Sequence, residues 1–125
     1  MKIHHDIIQN TPEWLAVRAG KFTASMFADL FAKESTKTFQ NAINKVVYER
    51  LTGESPESFS NEWTERGHEL EPVAIEAYEL LTFNKVTRVG FIEFNEWIGC
   101  SPDGLVGESG MIQVKCPKFS TLIDY

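Results

Sequence analysis

No run of apolar residues in this chain approaches the roughly 20 that a membrane helix needs, and the N-terminus offers only the apolar pair Ile7-Ile8 without a charged-then-apolar signal pattern. The expectation is a cytoplasmic protein with no membrane association. Cysteine is scarce: Cys100 and Cys116 lack the paired short spacing of a zinc site, and one pair without a secretion signal is weak support for a disulfide, so both are expected to be reduced. Internal repeats, low-complexity tracts and a linker are missing, which points to a single domain over residues 1–125. Excess positive charge is missing as well. A net charge of −6 argues against a protein that holds nucleic acid by bulk attraction, because phosphate binding normally recruits a basic surface. The sum does not exclude chemistry on phosphates, since metal sites need carboxylates and a local basic patch can coexist with acidic surfaces elsewhere.

What is present begins with enough apolar residue, 42% of the chain, to build a hydrophobic core. Thr11-Pro12-Glu13 reads as a helix start, with Thr11 as cap, Pro12 in the first turn and a stop near Gly20. Thr23-Ala24-Ser25 starts a second short helix, expected to carry Met26, Phe27, Leu30 and Phe31 inward. The polar stretch Lys33 to Lys37 reads as a loop. Phe39, Ile43, Val46, Val47, Arg50 and Leu51 then recur at helical spacing, and Gly53 supplies the stop. These N-terminal helices span 11–52. A loop is expected from Glu54 to Ser60. A helix beginning near Asn61 or Glu62 follows, with Leu70, Val73, Ala74, Ala77, Tyr78 and Leu81 as its apolar stripe and Glu71 beside it, on a face with Ile75 and Tyr78.

After Asn84 the pattern becomes extended, through Val86 to Val89 and Phe91 to Phe94. Asn95-Glu96 makes a turn, a strand begins at Trp97, a turn spans 107–110, and Met111 to Cys116 makes a strand stopped by Pro117. Side chains two apart on a strand share a face, so Gln113 and Lys115 point one way while Ile112 and Val114 point inward. If 107–110 is a hairpin tip, Asp103 lies roughly across from Val114, within diagonal reach of Gln113 and Lys115. An acid, an amide and an amine therefore converge. Hard divalent cations take oxygen ligands, so Asp103 and Glu71 with a carbonyl and a substrate phosphate suit Mg2+ or Mn2+, and Lys115 can orient water or offset developing charge. The reaction this chemistry suits is phosphodiester hydrolysis.

Pro102-Asp103 followed by Gln113-Val114-Lys115 resembles the PD-(D/E)XK nuclease signature, with glutamine where that signature has an acid. Glu13-Trp14-Leu15 with Arg18, Gly20 and Thr23-Ala24-Ser25 resembles the N-terminal block of lambda-exonuclease-type, YqaJ-like viral recombinases. Arg66-Gly67-His68-Glu69-Leu70-Glu71-Pro72, with Ala74 and Tyr78-Glu79, resembles their catalytic helix. The blocks run in order from about Thr11 to Pro117. The resemblance implies an α/β, restriction-endonuclease-like fold: a central mixed β-sheet flanked by helices, with catalytic helix and hairpin core over 61–117. It implies Glu71, Asp103, Gln113 and the Val114 backbone carbonyl as metal ligands, Lys115 as the catalytic lysine, and Arg18, Ser25 and Ser101 around the 5′-phosphate. It further implies 5′-to-3′ digestion of double-stranded DNA from a 5′-phosphorylated end, during phage-type recombination or repair in a bacterial or phage-infected cell. A homo-oligomer, a trimer in that family, and a single-strand annealing protein as partner belong to the same implication. Related nucleases continue with a further helix and strands, so a chain incomplete at its C-terminus is expected.

Gln113 departs from the pattern, because an amide oxygen coordinates a cation without contributing charge. Weaker metal binding and reduced or abolished activity are expected. A restriction-type endonuclease and a non-catalytic DNA-end-binding or assembly module are the competing readings. Taken singly, Asp103-Gly104 also suits a turn, Lys115 a solvent-facing charge, Arg18 an ion pair, and Ser25 and Ser101 capping. His68, His4 and His5 are expected to be surface or packing residues. Trp14, Trp63 and Trp97 are expected to anchor core or interface rather than stack on bases.

Overall fold

The computed structural model describes residues 1–55 and 62–123. Most of the loop expected at 54–60, and the helix start at Asn61, lie outside the described residues. The chain forms two compact units, each assembled from two segments: Met1–Glu57 with Arg88–Pro102, and Ser58–Thr87 with Asp103–Tyr125.

The first unit contains strand β1 (Lys2–His4), helix α1 (Pro12–Arg18), strand β2 (Phe22–Thr23), a 3-10 turn (Ala24–Met26), helices α2 (Phe27–Leu30) and α3 (Lys37–Thr52), and part of the later strand set. Helix α1 begins as its residues dictate: the Thr11 hydroxyl accepts the Trp14 amide at 3.3 Å and Pro12 occupies the first turn. Thr36 caps α3 in the same way, and Gly53 ends it in the left-handed conformation, φ 72°. Met26, Ala42 and Val46 form a buried cluster with Phe22 and Leu30 against it. Phe27 and Phe31 do not join it. Both are exposed, because the 3-10 turn before α2 rotates this four-residue helix and leaves Met26 and Leu30 as its inward contacts.

The sheet of this unit has the order β1-β4-β5-β2, with β4 (Phe91–Glu93) and β5 (Ile98–Cys100). β1 pairs antiparallel with β4, β4 antiparallel with β5, and β2 parallel with β5, so the sheet is mixed. Phe91 is fully buried within it. β1 and β2 have no periodic signature in the sequence. Two or three residues cannot establish a period, and these segments are extended because a neighbouring strand offers its amides and carbonyls.

The second unit holds helix α4 (Glu62–Thr82), strands β3 (Val86–Thr87), β6 (Gly104–Val106) and β7 (Gly110–Ile112), and helix α5 (Phe119–Leu122). The three strands form an antiparallel sheet of order β3-β6-β7. β6 and β7 are a hairpin whose turn begins at Gly107, φ 59°. On α4 the buried side overlaps the expected apolar stripe only at Ala74 and Tyr78: Ile75 is buried and Glu71, Ala74, Tyr78 and Glu79 are half-buried, while Leu70, Val73, Ala77 and Leu81 are exposed. Polar anchoring accompanies this orientation. The Glu79 carboxylate accepts the Val86 amide at 2.6 Å, tying the helix to β3. Glu71 therefore lies on the buried face, in line with Ile75 and Tyr78.

Candidate functional site

The second unit assembles a polar cluster at the open end of the β6–β7 hairpin. Paired residues sum to a constant register, Gly104 opposite Ile112 and Leu105 opposite Met111, so the next position outward places Asp103 opposite Gln113. The expected partner was Val114; the observed register is one residue different. β7 also ends at Ile112 rather than Cys116, since the Val114 amide bonds to the Asp103 carboxylate instead of continuing the ladder. The same carboxylate oxygen, Oδ2, accepts from the Gln113 side-chain amide. Asp103 is only 7% exposed, and its own amide donates to the Ile112 carbonyl at 3.1 Å. A buried carboxylate needs such donors, because stripping it of water without replacing the lost hydrogen bonds is costly.

Gly104 permits this arrangement. A Cβ there would lie 2.2 Å from Val86 Cγ1, so the close approach of β3 to β6 excludes any side chain at the residue after Asp103. Lys115, two residues beyond Gln113, is exposed. The segment carrying it is clasped from α4, where Arg66 Nη1 donates to the Cys116 carbonyl at 3.1 Å. The sequence pattern assigned Arg66 no role of its own. Asp103, Gln113 and Val114 are thus brought into direct contact, with Glu71 half-buried on α4 of the same unit.

Among the described residues, no group of three or more His, Cys, Asp or Glu gathers as a metal cluster. The constellation suggested by the motif has a different make-up: two carboxylates, an amide and a main-chain carbonyl. These are oxygen donors, the chemistry of a hard divalent cation rather than of zinc. The residues fit such a cation in kind, with one negative charge fewer than three acids would give. The Gln113 amide presents its nitrogen to Asp103, so the two side chains are joined by a hydrogen bond.

The other candidate residues belong to the first unit. The Trp14 indole N–H donates to Ser101 Oγ at 3.0 Å and to the Gly90 carbonyl at 3.1 Å, while the Arg18 guanidinium lies over the Trp14 ring at 3.9 Å. One indole thus bridges two of the three residues expected around a phosphate. Cation–π and hydrogen-bond geometry act together here to hold a guanidinium near a hydroxyl. Ser25 is exposed, with its hydroxyl 3.0 Å from that of buried Thr23. The Gln9 amide donates to the Pro102 carbonyl at 2.9 Å, steadying the peptide that leads from Ser101 to Asp103. Behind α1, Arg50 Nε donates to the Gly20 carbonyl at 2.8 Å and buried Glu49 accepts the Gly20 amide at 2.9 Å. These bonds fix the turn that follows Arg18.

Trp14 was legible as a packing residue, and it is half-buried; its indole N–H had no partner that spacing could reveal. Trp97 is exposed rather than in the core, with the Arg50 guanidinium over its ring at 3.6 Å, and the side chain of Trp63 lies outside the described residues. His4 bonds to Glu93 at 2.7 Å, and His68 is exposed on α4. Cys100 and Cys116 are free thiols, and burial pushes the Cys100 thiol above its ordinary range, which disfavours a nucleophilic role.

No curated protein sequence matches the chain. Solved structures do, among them two of an alkaline exonuclease. The crystal structure of an alkaline exonuclease, LHK-Exo, from Laribacter hongkongensis is 41% identical with a TM-score of 0.78, the match covering 91% of this chain and 57% of that one. LHK-Exo in complex with dAMP is 42% identical with a TM-score of 0.79, at the same coverage. The chain therefore spans little more than half the length of these relatives, and its α/β fold with a mixed sheet is the corresponding part of theirs. The family description that matches residues 13–125 is the YqaJ-like viral recombinase domain, and with nearly the whole sequence inside that match the chain belongs to this family.

Proposed function

We propose that this chain carries the catalytic portion of a metal-dependent 5′-to-3′ exonuclease acting on double-stranded DNA in phage-type recombination or repair, with activity weakened by Gln113. The observation carrying the reading is the Asp103 carboxylate, buried at the hairpin end and in contact with both Gln113 and Val114. The similarity to an alkaline exonuclease, one of whose structures holds dAMP, supports it.

On this reading Glu71, Asp103, the Gln113 side-chain oxygen and the Val114 carbonyl would hold Mg2+ or Mn2+. When bound, the cation supplies Lewis acidity at the scissile phosphodiester. Lys115 offsets charge developing on the phosphate and orients the attacking water. Arg66 keeps the Lys115 segment in place through the Cys116 carbonyl. Arg18, Ser25 and Ser101 recognise the terminal 5′-phosphate, for which a guanidinium fork and hydroxyl donors are suited. A homo-oligomer working with a single-strand annealing protein belongs to the same proposal.

The test is digestion of 5′-phosphorylated linear duplex, 5′-hydroxyl duplex and closed circular duplex, each with magnesium and with chelator. Magnesium-dependent loss of the phosphorylated linear substrate, with the circle intact, is expected. Cutting of the circle would instead establish a restriction-type endonuclease. The specific contact between Asp103 and an uncharged amide also favours a second reading, a DNA-end-binding module without catalysis. Metal-independent binding of 5′-phosphorylated ends without product would support it.

Trp14 provides a finer check. Trp14→Phe keeps a ring beneath Arg18 but removes the N–H that orients Ser101, a bond worth about 1 kcal/mol, so discrimination between phosphorylated and hydroxyl ends should fall about fivefold. The loss is expected in KM rather than kcat. Equal discrimination in the variant and the parent would remove Trp14 from phosphate recognition.

A further inference from the structure

We infer that the cleft between the Ala24–Met26 turn with α2 and one face of α3 binds a single strand of DNA leading away from Ser25; this rests on the proposed nuclease function and extends it to a site outside the metal and phosphate residues. The cleft has a volume of about 790 Å³ and lies wholly within the first unit. Its wall on α3 is formed by Thr38, Asn41, Lys45 and Tyr48, which recur every three or four residues and so line one side of the helix. At a rise of about 1.5 Å per residue the stripe is about 15 Å long, the length of about four stacked nucleotides.

The chemistry of this stripe is that of a strand-binding channel. Such channels combine a cation for the backbone, an aromatic platform for a base and hydrogen-bonding side chains that tolerate any sequence. Lys45 supplies the ammonium. Tyr48, 46% exposed, supplies the ring, and Thr38 and Asn41 supply donors and acceptors. Buried Met26 and Ala42, which pack with Val46 in the core, form the floor of the cleft and fix the face that α3 presents to it. Ser25, one of the residues proposed around the 5′-phosphate, lines the same cleft, so the groove adjoins the proposed end-binding residues. Asp29 also lines it, and its carboxylate disfavours a phosphate beside it.

The experiment is fluorescence anisotropy of a 3′-labelled, 5′-phosphorylated single-stranded oligonucleotide in chelator, which separates binding from cleavage. Parent, Tyr48→Ala, Tyr48→Phe and Lys45→Gln are compared across a salt series. Tyr48→Ala should weaken binding about tenfold, while Tyr48→Phe, which keeps the platform, should remain within about twofold of the parent. Lys45→Gln should reduce the logarithmic salt slope by about 0.7. A parent that binds DNA while Tyr48→Ala and Lys45→Gln bind with unchanged affinity and slope overturns the groove alone. A parent that binds no single strand in chelator overturns the groove, and one that also leaves 5′-phosphorylated duplex undigested with magnesium overturns the nuclease reading with it.

Discussion

Gln113→Glu should raise magnesium- or manganese-dependent cleavage of 5′-phosphorylated linear duplex by at least about tenfold, the scale on which ligand and ligand-supporting changes act at metal sites. The substitution leaves side-chain length unchanged and replaces an amide by a carboxylate beside Asp103. Opposite unit charges about 4 Å apart are worth on the order of 4 kcal/mol in an intermediate dielectric before desolvation, and a divalent cation feels more. The same change removes the hydrogen bond from the Gln113 amide to Asp103 and sets two carboxylates face to face. Without a cation the variant should therefore melt below the parent, and added manganese should recover the loss, whereas the parent should respond far less. The two readouts are independent. An assay showing no gain in cleavage, with a melting temperature as insensitive to manganese as the parent's, would sink the assignment of Gln113 to a cation site.

Asp103→Ala has the largest expected effect in the opposite direction. In the parent it strips the Val114 amide and the Gln113 side chain of a shared acceptor at a position only 7% exposed. Loss of charge-assisted hydrogen bonds of this kind costs about 2 kcal/mol. For a chain of this size that corresponds to a fall in melting temperature of about 5–10 °C. Introduced together with Gln113→Glu, it should lower cleavage by about three orders of magnitude, as expected when a group that acts with the others in one catalytic unit is removed. Thermal denaturation and the duplex assay check the two parts separately. A double variant retaining the cleavage of Gln113→Glu would show that Asp103 serves the hairpin rather than the chemistry.

The residues that could be read without coordinates share one property, which is that their neighbours in sequence are sufficient to specify their role. A threonine followed by proline starts α1, and a glycine able to adopt positive φ ends α3. The hairpin turn and the order of elements around Asp103 follow from similarly local chemistry. Much of the α/β fold was therefore accessible, as was the proximity of Asp103 to the Gln113 segment.

Misjudged features depended on a distant partner. The apolar spacing of α4 pointed to Val73 and Leu81, yet both are exposed and the helix instead buries Ile75 and anchors Glu79 on the Val86 amide. The Asp103 register differed by one residue because Gly110 pairs with Val106 and so belongs to the strand rather than to the turn, while the Val114 amide beyond the ladder goes to the Asp103 carboxylate. Trp14 could be recognised as a packing aromatic, but its hold on Ser101 required residues 87 positions apart to meet. Periodicity reports which faces a segment can offer, and caps report where it can begin and stop. Which offered face is buried, and which buried carboxylate receives which amide, is settled when separate segments compete for the same volume and hydrogen bonds, so those choices belonged to the tertiary structure.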